Sequence, residues 1–259
     1  MSEKRQPSVG GTEELIPTKD ALTSLKSDVT HVTAIEELID NAIDNALREH
    51  SLTYPLTVEV FAEHHDDEDR TELVVRDDAG GVQRMNANII FTLGDSGDAT
   101  DEPLIGAYGL GAKKALMNLG LPFTIASRHE DAEIGWEYTI DEDWFNDETD
   151  WEVEVTPNDE LEAGVTEIRV HDLDYNWFGI DEDDEDAAST PERLREEFGS
   201  TYNLFLGEFG VHDYDVTIEV QGDPVEPLGG PDYAFTPVDD MYPRKFKNIT
   251  IDLDGYATT

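Results

Sequence analysis

The chain contains no cysteine, which excludes disulfides, thiolate nucleophiles and any zinc centre ligated by sulfur. Cations are scarce. Against 61 Asp plus Glu stand only 17 Lys plus Arg in 259 residues, a formal net charge of −44. The average surface would repel free nucleic acid and anionic membrane. No apolar run approaches the length of a membrane span, and the opening "MSEKRQPSVGGTEELIP" lacks the apolar core of a signal peptide. A cytoplasmic location without membrane contact is therefore expected. No internal repeat is visible.

What is present argues against a disordered polyanion. Hydrophobic residues make up 38% of the chain and fall in helix-like and strand-like blocks, so a packed core is expected. An acidic excess spread over every expected surface, with little lysine, suits a high-salt cytoplasm in which screening quenches self-repulsion. A halophilic archaeon is the expected source.

Residues 1–17 read as a flexible leader, followed by a helix pattern at "TKDALTSL". A longer one follows at "TAIEELIDNAIDNALREH", where Ile35, Leu38, Ile39, Ala42, Ile43, Ala46 and Leu47 recur at spacings of three and four. The runs 56–62 and 70–76 predict a hairpin around the charged loop "EHHDDED". His64 and His65 in that loop suit a solvated turn better than a metal site. A helical stretch near "MNANIIFTL" and a long Gly/Asp/Ser/Thr loop come next. Beyond residue 120 the period changes to two, and "PFTIASR", "IGWEYTI", "WEVEV" and "VTEIRV" predict strands of one antiparallel sheet. From 172 an acidic linker leads to a helix starting at "TPERL", a strand with a turn in "YDVTIEVQGDPVEPL", and a last strand at "NITIDL". That ending suggests a chain belonging to something longer, with residues 172–259 an extension that would open a second domain.

Four stretches carry chemistry. Glu37 and Asn41 lie four residues apart on the strong helix and share a face. A carboxylate there can take a proton from water, and a neutral amide oxygen can complete a Mg²⁺ shell; a solvated polar face is the alternative. In "RDDAGGV", Asp77 ends a strand before a flexible turn that includes Gly81. Its carboxylate could accept from the exocyclic amine of adenine, where guanine presents an oxygen; a plain Asp-Gly turn is equally compatible. In "IGAYGLGAKKALMNLG", Gly106, Gly109 and Gly111 let backbone amides approach phosphate oxygens and aim a helix N-terminus at them. Lys113 and Lys114 sit at that positive helix end, which is unfavourable unless an anion is bound there. In "AGVTEIRV", the Thr166 hydroxyl could bind Asp77 or a base nitrogen, although a Thr in a strand needs no function.

In this order the four motifs resemble the GHKL superfamily of ATPases, which includes gyrase B, ninety-kilodalton heat-shock chaperones, MutL and histidine kinases. The resemblance spans about residues 18–171, and "AIEELIDNAID" with "IGAYGLGAKKA" is most similar to the MORC ATPases. Ala79 departs from the pattern, standing where the family has the first glycine of its Asp-x-Gly-x-Gly turn. The resemblance implies an α+β fold: a two-layer sandwich of a mixed, mostly antiparallel sheet covered on one face by helices (the Bergerat fold). It implies ATP and Mg²⁺ as ligands and Glu37 as general base. Asn41 would be the Mg²⁺ ligand, and Asp77 with Gly81 and Thr166 would hold the base. Gly106, Gly109, Leu110, Gly111 and Ala112 would cradle phosphate, with Lys113 in contact and 94–105 as a lid. Hydrolysis driving a conformational or homodimerisation switch is the leading expectation, with DNA reached only indirectly or through parts outside this chain. A nucleotide sensor without turnover and a histidine-kinase-type domain are the alternatives.

Overall fold

The computed structural model describes residues 30–49, 55–66, 68–87, 111–147, 151–173, 177, 190–203, 205–206 and 215–228, the side chains of 48, 49 and 113 excepted. The expected helix at "TKDALTSL", the loop 94–105 and the last strand "NITIDL" lie outside them.

The amphipathic stripe forms helix α1 (His31–Glu49). Thr30 starts it, its hydroxyl accepting from the Thr33 N–H at 3.1 Å. Ala34, Ile35, Leu38, Ile39, Ala42, Ile43 and Ala46 are all buried, and Leu47 packs partly against them. Each fully buried Ile or Leu in such a row contributes about 1.5–3 kcal/mol. Strands β1 (Pro55–His65) and β2 (Arg70–Asp77) form the expected hairpin, paired from Val58↔Asp77 to His65↔Arg70. The ladder thus takes in His64 and His65 and shortens the loop. His64 Nδ1 lies 3.2 Å from the Thr71 hydroxyl, and among the described residues no cluster suits a metal ion.

Helix α2 (Gly111–Leu119) leads into β3 (Phe123–Arg128), β4 (Gly135–Ile140) and the short α3 (Glu142–Asn146). Then come β5 (Thr156–Asn158), β6 (Val165–Val170), α4 (Thr190–Thr201), β7 (Asp215–Val220) and β8 (Asp223–Pro224). One sheet of order β5-β4-β3-β6-β2-β1-β7-β8 contains all eight strands, and every pairing is antiparallel except β1 with β7.

One expectation needs correction. "WEVEV" joins no ladder: Val153 and Val155 pack on the core, while the Glu152 carbonyl accepts from the Trp144 indole at 2.9 Å. Its alternation records burial of one edge without backbone pairing. Of "MNANIIFTL", Met85, Asn86 and Ala87 are described, where a 3₁₀ turn spans Arg84–Asn86; the rest lies outside the described residues.

The core is one layer thick. Val58, Val60, Leu73, Val75, Phe123, Ile125, Ile140, Val170, Ile218 and Val220 alternate onto one sheet face and meet α1, α2 and α4 there. Residues before 171 and residues 190–228 share this core. The opposite face is charged; its Glu72 is buried beneath Arg169, at 3.1 Å, and His171, at 3.0 Å.

Candidate functional site

Helix α1 presents Glu37, Asn41 and Asn45 at intervals of four residues, one face extending about 12 Å along the axis. Asn41 Nδ2 donates to the Glu37 carbonyl at 2.5 Å. That bond fixes the amide so that Oδ1 is the atom left to act as an outward ligand. Glu37 is half-buried, and burial raises its carboxyl above the ordinary value, with the Lys114 cation opposing and Glu36 adding to the rise.

Against this carboxylate comes the start of α2. A methyl group built on Gly111 would lie 1.8 Å from Glu37 Oε2, so no side chain fits there while Glu37 keeps its position. The glycine thus permits a helix N-terminus to meet this carboxylate. Ala112 follows in the same turn, half-buried against the core. Gly106, Gly109, Leu110 and the Lys113 side chain lie outside the described residues. The Lys114 charge acts on Glu37.

The turn after β2 closes the other end of the face. One edge of Asp77 reaches solvent, but its carboxyl is enclosed, and burial pushes it up to about 7; the Ala79 N–H opposes the rise and the Asp78 charge adds to it. That N–H donates to Asp77 Oδ1 at 3.0 Å. The Ala79 carbonyl accepts from Asn45 Nδ2 at 3.0 Å, which ties the turn to α1. Ala79 itself is fully buried and is not among the positive-φ residues, whereas Gly80 (φ 98) and Gly81 (φ 70) are. This is why a side chain is accommodated at 79: the two positions that need left-handed backbone still hold glycine. At Gly81 a methyl group would also lie 2.2 Å from the Arg128 carbonyl.

Thr166 stands opposite Asp77 in the β2–β6 register and is buried. Its hydroxyl lies 2.9 Å from that of Ser127, which accepts from the Val82 N–H at 2.8 Å and donates to the Val165 carbonyl at 3.1 Å. Ser127 joins the turn to β3 and β6. Sequence reasoning passed over it, although a serine two residues after Ile125 on the apolar face of β3 was a signal. Asn45 was missed too, though "IDNAIDNA" repeats its asparagine one helical turn after Asn41.

A family model described as the histidine kinase-, DNA gyrase B-, and HSP90-like ATPase matches residues 29–174. The chain belongs to this ATPase family. ATP binding goes with that membership. No curated protein emerges as a relative. Among solved structures, the ATPase region of Saccharomyces cerevisiae topoisomerase II is similar at a TM-score of 0.50 and 15% identity, over 75% of this chain and 48% of that one. The ATPase and transducer domains of DNA topoisomerase II from Balamuthia mandrillaris give a TM-score of 0.48 and 16% identity, again over 75% and 48%. The chain therefore spans about half the length of these structures. The yeast likeness agrees with the α+β fold of this ATPase family, a mixed sheet with helices on one face.

Proposed function

We propose that this chain hydrolyses ATP with Mg²⁺ as cofactor, and that the nucleotide state drives a conformational or homodimerisation switch of the MORC type. The observation that supports hydrolysis most is the contact between the side-chain-free start of α2 at Gly111 and the Glu37 carboxylate. A partly desolvated carboxylate with a raised proton affinity is a better general base than an exposed one.

Each assignment follows from the local chemistry. Glu37 takes the proton of the attacking water. Asn41 offers Oδ1 as the magnesium ligand, the amide being fixed through its own nitrogen. Bound there, the cation would neutralise charge on the phosphates. Asp77 accepts from the adenine amine, with Thr166 beside it and Gly81 keeping the turn close. The remaining phosphate contacts are assigned to Gly106, Gly109, Leu110, Gly111, Ala112 and Lys113. Among the described residues no helix is long and apolar enough to cross a membrane. The net charge of −44 favours a high-salt cytoplasm as the working environment and leaves any DNA contact to a partner or to other parts of a longer protein.

ATP turnover in molar salt, with and without Mg²⁺, tests the reading. The wild type should require the cation, and Glu37→Gln should lose about 10²–10⁴-fold in rate while keeping ATP affinity. A wild type no faster than Glu37→Gln would leave a domain that binds nucleotide without turning it over.

A further inference from the structure

Helix α4 is held as part of a rigid clamp. Leu194, Phe198 and the adjoining Tyr202 are buried, and Arg195 Nη1 reaches the Val220 carbonyl at 3.3 Å and Asp223 Oδ2 at 3.1 Å. The Leu228 N–H donates to the Gly199 carbonyl at 3.0 Å, and a methyl group at Gly199 would lie 2.4 Å from the Glu226 carbonyl. So α4, β7, β8 and the segment to residue 228 are bonded to one another, and β7 joins them to the sheet through β1.

This clamp meets α1 on both sides of Glu37. Thr201 Oγ1 donates to Glu36 Oε1 at 2.8 Å, and the Tyr202 hydroxyl lies 2.9 Å from Asp40 Oδ1 and 3.0 Å from the Glu36 carbonyl. One hydroxyl proton faces two acceptors. With Asp40 ionised, Tyr202 donates to the carboxylate. The charges facing this pair are Glu36, Glu37 and Asp44 on α1, and Lys114 on α2 acts on Glu37. Burial pushes Asp40 up to about 6, the Tyr202 hydrogen bond opposing.

We infer that Tyr202 is a positioning residue for Glu37: through its bonds to Asp40 and the Glu36 carbonyl it sets the helical turn that carries the carboxylate. The inference rests on Glu37 being the base.

Turnover and ATP Kd should be measured for wild type, Tyr202→Phe, Asp40→Ala and the double variant. Tyr202→Phe keeps the buried ring and should lower kcat about 10- to 100-fold with Kd unchanged. The double variant should be no slower than the slower single one, because both changes break one bond. Additive losses, or a Kd that weakens in step with kcat, overturn the inference in favour of a general packing role. If Tyr202→Phe does not fold, Asp40→Ala removes the acceptor of the same bond from the α1 side and carries the same expectations. A wild type that binds ATP without turnover refutes the hydrolysis reading alone. Carbon-13 NMR of the Glu37 carboxyl at neutral pH then decides, where displacement by Tyr202→Phe supports the positioning role and an unmoved resonance overturns it.

Discussion

Replacing Asp77 by Asn should make the nucleotide-free protein harder to unfold, by an amount that grows with pH. Burial moves this carboxyl from 3.8 to about 7, so the folded state holds a proton that the unfolded chain has already released. Folding stability is therefore lost as the pH rises from about 4 to about 7. At about 1.4 kcal/mol per pH unit, ionising the enclosed group costs the fold about 4 kcal/mol above pH 7. That figure is an upper bound, because the open edge of Asp77 lets water reach part of the charge. Asn keeps an oxygen for the Ala79 N–H and never ionises, so it removes the cost while preserving the turn. Urea unfolding in molar salt between about pH 4 and 8.5 reads the difference. Wild type and variant should coincide at the acid end and separate steadily toward neutral pH. The same variant should lose selectivity for ATP over GTP, since an amide can donate to a guanine oxygen where a carboxylate cannot. A stability difference that is flat across the pH range would refute the burial argument, and intact selectivity would remove Asp77 from the adenine contact.

Asn41→Ala should weaken magnesium-dependent ATP binding and turnover together, since the lost Oδ1 ligand acts on ground state and transition state alike; calorimetry with and without Mg²⁺ that shows no change would dismiss the metal assignment. Gly111→Ala places a methyl group where Glu37 Oε2 now lies, at 1.8 Å, and should cost roughly 10²-fold in turnover while ATP-over-GTP selectivity survives. Normal turnover in that variant would mean that the Glu37 carboxylate is free to move without consequence.

The helix that carries Glu37 was legible because its apolar residues keep a helical period; every residue of that stripe named from the sequence except Leu47 is buried. The β1–β2 hairpin was legible by alternation, but its length was not. The histidines at its end satisfy their backbone in the ladder whatever their side chains prefer. At "WEVEV" the same alternation misled, since a pattern of two reports which side chains are covered and not whether a neighbouring strand is present. At the site, Asp77 and Thr166 could be named separately, while their opposition across β2 and β6 depends on register. Ser127 and Asn45, which bind the turn in place, carry no motif. The bond from Tyr202 to Asp40 joins positions 162 residues apart and leaves no local trace.

The parallel pairing of β1 with β7 has a consequence for synthesis of the protein. Its two strands are separated by β2 to β6 and by α2 to α4, so the ribosome needs on the order of ten seconds to supply the second after the first. Through that interval β1 is hydrogen-bonded on one side only, to β2, with Leu56, Val58 and Val60 on the apolar face that Ile218 and Val220 later extend. A nascent chain in this state exposes an unpaired strand edge, the feature most prone to capture by another copy. Pairing with β7 removes that edge, so the exposure of β1 ends only when the chain as far as Val220 has been made.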